Sequence, residues 1–280
     1  MTGLGIIAGG GELPIAIADS ASQSGRSVFV AALQGIAGPE VERFAHGWFG
    51  LGETGKTLRQ MREHGCEDVL FAGQVSRPRW SDLKVDAKGM MYLPRVLKAA
   101  IKGDDALLRA LASVLESEGF RVVSASEAAP GLLAPSGTLG RIKPTEQDRE
   151  DMRLAAETVR RLGELDIGQA AIVCDGLVLA VEAAEGTDAM ITRVGLLPET
   201  LRGVPGRPKG VLVKAPKPTQ DRKTDLPVIG VETIRKIVSV GLRGVALEAG
   251  GALIVNRPKL IEAADAAKVF VYGFERAASG

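Results

Sequence analysis

Short apolar runs alternate with helix-period stretches through the first half of the chain. Residues 4–8 (LGIIA), 27–33 (SVFVAAL) and 69–72 (VLFA) read as buried strands, and 14–24 and 54–64 as the helices between them. Two further helical patterns, 90–102 and 104–118, precede a short run at 121–124. Such alternation predicts right-handed βαβ units and a parallel sheet covered on both faces.

The pattern breaks at PGLLAPSGTLGRIKPT, which is rich in Pro, Gly and Ser and has no sustained period. It divides the chain into a domain over 1–130, a linker over 131–145 and a second domain over 146–280. A polar helix is expected over 146–162. AAIVCDGLVLAVE then presents two apolar runs joined by Asp175-Gly176, the strongest short hairpin signal, because both central positions of a type I′ turn need φ > 0. The expected fold class is α/β: an N-terminal Rossmann-like parallel-sheet domain followed by a C-terminal mixed α/β domain.

Composition narrows the partners. With 280 residues, 45% hydrophobic and 25% charged, a sizeable core can form. A net charge of +1 gives no global field for nucleic acid or an anionic surface, so any anion must be held locally. Cys66 and Cys174 lie in no metal-spaced cluster, which fits a reduced cytoplasmic compartment. The start lacks a basic n-region, and no apolar run reaches the roughly 18 residues that span a bilayer. The expectation is a soluble or peripheral protein.

Three glycine-rich stretches compete for a phosphate. Residues 50–57, GLGETGKT, fit G-x-x-x-x-G-K-[ST], but the preceding AHGWF is a feeble strand. The second carboxylate that such a loop needs would be Asp175, which the hairpin places in the other domain. The reading is therefore a turn into a surface helix. GLGIIA, residues 3–8, matches the dinucleotide fingerprint, but its glycines lie inside the strand, and Leu33-Gln34 offers no acid for a ribose. AGGGELP, residues 8–14, fits better: three glycines end the first strand, Pro14 suits a first helical turn, and the helix's free N–H groups would face an anion. A plain tight βα turn is the alternative there.

AGGGELP occurs with FAGQVSRP (71–78), KGDDALLR (102–109), LDIGQAAIVCDGLVLAVEAAEGTDAM (165–190) and VLVKAPKPTQDRKTDLPVIG (211–230). Together these phrases resemble, from end to end, the family of UDP-2,3-diacylglucosamine pyrophosphatases of lipid A biosynthesis that lacks the metallophosphoesterase fold. The resemblance implies hydrolysis of the substrate's pyrophosphate to UMP and 2,3-diacylglucosamine 1-phosphate (lipid X), with water attacking the sugar-side phosphorus. It implies Mg²⁺ dependence, a lipid held between two domains, and a cytoplasmic protein working peripherally at the inner membrane. Substrate contacts are implied at Gly9, Gly10, Gly11, Glu12 and Leu13, at Gln74, Ser76 and Arg77, and at Gln169 and Thr187. A second copy of the chain is a candidate partner; nucleic acid is not.

A pyrophosphate diester needs cations on its oxygens and a positioned water, and Mg²⁺ takes oxygen ligands, so missing histidine clusters are no objection. Asp225 in TDLP is the first candidate for an essential carboxylate and metal ligand: sequence alone favours a turn-forming Asp, and the resemblance reverses that. Glu185 and Asp188 are further candidate metal ligands, with helix capping as the alternative. Lys214 and Lys217, with Arg222 and Lys223 nearby, are candidate catalytic cations against a solvated loop. KGMMYLPRVLKAAIK (88–102) reads first as a core-facing helix and second as one bordering lipid or an anionic membrane. His46 and His64 carry no role. Two rival functions stand beside hydrolysis: a nicotinamide oxidoreductase, and a nucleotide- or lipid-binding module without chemistry.

Overall fold

A computed structural model of the chain describes residues 2–75, 83–217 and 226–276. It divides into two compact units, residues 1–131 and 132–280. Among the described residues no helix is long and apolar enough to cross a membrane.

The first unit is built on five parallel strands in the order β3-β2-β1-β4-β5: β1 (Gly3–Ala8), β2 (Val28–Leu33), β3 (Ala45–Phe49), β4 (Cys66–Ala72) and β5 (Arg121–Val122). Helices α1 (Leu13–Gln23), α2 (Thr54–Glu63), α3 (Ala87–Ala100), α4 (Asp104–Ser117) and the short α5 (Ala125–Ala128) connect and cover them. The central strands carry unbroken apolar runs because both of their faces are covered. Phe29, Phe49, Leu58, Met61, Val69, Leu115 and Phe120 fill one face under α2 and α4. AHGWF, read as a feeble strand, forms β3. As the outer strand it needs little apolar side chain, and Phe49, buried edge-on to Phe29, anchors it. The run expected at 121–124 pairs only over Arg121–Val122, since Ser124 caps α5.

The second unit holds a six-stranded mixed sheet ordered β6-β13-β11-β9-β7-β8. Its strands are β6 (Gly137–Leu139), β7 (Ala170–Cys174), β8 (Leu177–Val181), β9 (Val211–Lys214), β11 (Gly244–Glu248) and β13 (Phe270–Phe274). A separate parallel pair joins β10 (Val228–Ile229) to β12 (Leu253–Ile254). The stretch 131–145, expected as a linker, is built into this unit: β6 pairs antiparallel with β13. Three residues suffice because Gly137 and Gly273 sit opposite each other in the register.

Four helices sandwich that sheet: α6 (Glu146–Glu164), α7 (Gly186–Val194), α8 (Val231–Ser239) and α9 (Arg257–Ala266). Met152, Ala155 and Val159 of α6 pack on one face, against Ala171, Val181, Val213 and Ala246. Met190, Ile234, Ile237 and Leu260 of the other three helices pack on the opposite face, against Ala170, Ile172, Leu212 and Leu247. The β7–β8 hairpin turns at Asp175 (φ 49°) and Gly176 (φ 77°), as the Asp-Gly signal predicts. The buried Asp151 carboxylate of α6 accepts both turn amides, at 3.0 and 2.8 Å.

Candidate functional site

In an open α/β sheet, ligands bind outside the carboxyl ends of strands where the strand order turns back. In the first unit that point lies between β1 and β4. There β1 runs into Gly9-Gly10-Gly11-Glu12 and then α1, while β4 runs into Gly73-Gln74. The two exits are tied together: Gly10 N–H donates to Gln74 O and Gln74 N–H to Gly10 O, both at 2.9 Å. Gly73 is required here, since its φ is +88° and a Cβ would stand 2.5 Å from Gly10 O. Gly11 has φ +90° and nothing within 4 Å of where its Cβ would be, so the turn leaves open space over the start of α1. Glu12 is the N-cap and makes no side-chain cap, and Pro14 sits in the first turn beside Leu13. The structure thus gathers Gly9, Gly10, Gly11, Glu12, Leu13 and Gln74 at one switch point, where among the described residues no side chain caps the start of α1. Ser76 and Arg77 lie outside the described residues.

GLGETGKT occupies a similar position after β3, but its Gly50, Gly55 and Lys56 amides are taken by carboxylates. Asp86 accepts from Gly55 N–H at 2.7 Å and Lys56 N–H at 3.1 Å, and its other oxygen caps α3 through Gly89 N–H at 2.8 Å. Glu53 accepts from Gly50 N–H at 2.7 Å and pairs with Lys56 Nζ at 3.4 Å. The Gly50 N–H, with the Lys56 charge in support, holds the Glu53 carboxyl below its ordinary range. The depression on this side of α2 is lined by Glu53, Glu63 and Asp86 against Lys56 and Arg59, with Gln60. A triphosphate would meet more negative charge than positive. Asp175 stands in the hairpin turn of the second unit, paired with Lys209 at 2.8 Å.

In the second unit three buried charges, Glu182, Lys214 and Glu248, stand at the carboxyl edge of β8, β9 and β11, apart from Asp148 and Asp151 of α6. Lys214 ends β9 and is 7% exposed, with Nζ donating to Val228 O at 3.2 Å. Glu248 ends β11 at 6% exposure, and Glu182 follows β8 at 7%. Gln169 immediately precedes β7, and its Oε1 is buried with no hydrogen-bond partner among the described residues. Thr187, in the first turn of α7, donates to Glu182 Oε1 at 2.8 Å. Lys217, beyond the strand, pairs with Asp166 at 2.7 Å. Lys214 is thus the last residue of a strand, and Lys217 lies in the segment that leaves it.

Two of the expected metal ligands are paired with cations. Glu185, the N-cap of α7, pairs with Arg193 at 2.7 Å; a hydrogen bond from its own backbone N–H and then the Arg193 charge depress its carboxyl. Asp188 is exposed and pairs with Lys236 of α8. Among the described residues no three Asp, Glu, His or Cys side chains gather as a metal site, and the Glu185 and Asp188 carboxylates are each engaged by a cation of the protein. Asp225, with Arg222 and Lys223, lies outside the described residues.

Sequence reading missed Asp86, Glu182 and Glu248. Asp86 opens the 88–102 helical phrase, and a capping Asp there was a legible signal, though its second helix was not. The only signal for Glu182 and Glu248 is position, an acid where a buried strand stops.

Two α/β units, each with polar side chains or backbone amides gathered at the carboxyl edge of its sheet, define a two-domain α/β protein with candidate binding groups beyond its strand ends. Residues 3–132 match the family described as LpxI N-terminal domain, and residues 135–272 the one described as LpxI C-terminal domain. A curated protein of Caulobacter vibrioides, UDP-2,3-diacylglucosamine pyrophosphatase LpxI, is 47% identical over 275 residues, 98% of this chain and 98% of its own length. The chain belongs to the LpxI family.

Proposed function

We infer that this chain hydrolyses the pyrophosphate bond of UDP-2,3-diacylglucosamine in lipid A biosynthesis, releasing UMP and 2,3-diacylglucosamine 1-phosphate. The observation that carries this reading is the end-to-end identity of 47% to a relative of that activity, covering both halves of the family. The geometry supplies what the reaction needs. Amides at the start of α1 suit phosphate oxygens, and Lys214, held rigid in a strand end, suits the charge of the sugar-side phosphate as its bond to UMP breaks.

The finer parts belong to the same proposal. Asp225, Lys214 and Lys217 act on the diphosphate, and water adds to the sugar-side phosphorus. Mg²⁺ is required because a diphosphate's charge must be offset as the bond breaks. Asp225 is its leading protein ligand, while Glu185 and Asp188 would first have to leave Arg193 and Lys236. Contact with the inner-membrane surface goes through α3, where Met90 and Met91 stand exposed, with Lys98 exposed toward the other end of the helix and Lys102 just beyond it.

The test is direct. Protein with UDP-2,3-diacylglucosamine and Mg²⁺ should release UMP, excess EDTA should stop it, and labelled water should leave its oxygen in the sugar phosphate. Folded Asp225→Ala protein should lose turnover. Normal turnover by that variant would remove Asp225 from the reaction, and label in UMP would reverse the side of attack.

A further inference from the structure

We propose that Glu182 is a substrate-binding residue, whose buried Oε2 accepts a hydrogen bond from a hydroxyl or amide N–H of the sugar. The proposal rests on the function inferred above. Glu182 is 7% exposed, and its Oε2 has no hydrogen-bond partner among the described residues. Native proteins rarely bury a polar atom unmet, and a carboxylate oxygen is among the costliest to leave so.

The sheet fixes where this side chain points. Glu182 N–H donates to Ala170 O at 2.9 Å, and Ala170 pairs with Lys214, which pairs with Leu247. Val181 and Val213 pack on the α6 face, whereas Ala170 and Leu247 pack on the face of α7, α8 and α9. Side chains alternate along a strand, so Glu182 and Lys214 project to the second face, two strand spacings or about 10 Å apart. Only the methyl of Ala170 lies between them in that row.

Thr187 decides the kind of ligand. Its single hydroxyl proton is given to Glu182 Oε1 at 2.8 Å, so Thr187 Oγ1 is left with lone pairs alone. This corner therefore offers acceptors, Glu182 Oε2 and Thr187 Oγ1, with the buried Gln169 Oε1 at the same edge. Phosphate oxygens would be repelled. A glucosamine bears the opposite chemistry, hydroxyls and an amide N–H. Lys214 on the far side of the row suits the phosphate that the sugar carries.

Glu182→Gln tests this, because it keeps the shape and the bond from Thr187 but turns the open acceptor into a donor. The KM for UDP-2,3-diacylglucosamine and the Kd for 2,3-diacylglucosamine 1-phosphate should both rise about ten- to a hundredfold, with kcat within about threefold. Thermal stability should hold or rise, since a buried charge is removed. An analogue lacking the sugar 4- or 6-hydroxyl, or the amide N–H, should lose affinity for wild type and lose nothing further for Glu182→Gln. Unchanged KM and Kd would overturn the proposal. So would a lowered Tm with ligand constants intact, which makes Glu182 structural, or a shift confined to the Mg²⁺ requirement. Failure of wild type to release UMP while binding the sugar phosphate would sink the function and leave the Kd comparison to judge Glu182; failure to bind it as well would overturn both.

Discussion

Two strand–glycine–helix turns stand at the carboxyl edge of the same parallel sheet, AGGGELP after β1 and GLGETGKT after β3, and their chemistry differs. The second fits the better-known phosphate pattern, yet its amides are taken by Asp86 and its lysine by Glu53. The first fits no strict pattern, yet it sits where the strand order turns back, and among the described residues nothing caps its helix or stands within 4 Å of a Cβ at Gly11. What distinguishes a phosphate loop from a turn is the partner of its N–H groups, and a pattern of letters does not contain that partner. Asp86 is 30 residues beyond Lys56.

The largest effect that tests this contrast lies in the first turn. Gly73→Ala forces a Cβ toward Gly10 O at positive φ and breaks the Gly10–Gln74 bridge. It should cost about 3 kcal/mol in urea unfolding and a large part of UMP release. Asp86→Ala removes one carboxylate that caps two helices and should cost about 2 kcal/mol, with kcat for UMP release retained. A matching loss of kcat would place the second turn in the active site.

A smaller effect is driven by pH. Lys88 first, then Tyr92 and Arg62, hydrogen-bond Glu118 and hold its carboxyl at about 2 against an ordinary 4.5. Its folded pKa is depressed, so the stability it adds is complete above 4.5 and is lost as pH falls through about 2. Because this group ties α3 to α2, hydrogen exchange at Gly55 and Lys56 should accelerate in that window, and exchange at Gly9 and Gly10 should not. Uniform acceleration at both turns would remove the distinction. Smallest is Lys56→Ala: an exposed ion pair is worth under about 1 kcal/mol, and UMP release should stay within about twofold.

Much of the fold was legible because strand and helix periods differ. The parallel sheet of the first unit follows from apolar runs at β1, β2 and β4, and the hairpin from Asp175-Gly176. β3 and β6 were harder, since an outer strand of mixed residues and a three-residue strand carry almost no periodic signal. The glycine turn after β1 was legible from its Pro and its strand. The polar cluster of the second unit was only half so: Gln169, Thr187 and Lys214 were singled out in the quoted phrases, whereas Glu182, within one of the same phrases, becomes visible as a site residue only when three strands align. Glu185 and Asp188 were readable as capping or metal-binding residues, and their cations, Arg193 and Lys236, come from α7 itself and from α8.

One paired assay bears on the whole account: the same protein incubated with Mg²⁺ and either UDP-2,3-diacylglucosamine or ATP. The account predicts UMP from the first and no inorganic phosphate from the second. Phosphate released from ATP and abolished by Lys56→Ala, with no UMP formed, would contradict it.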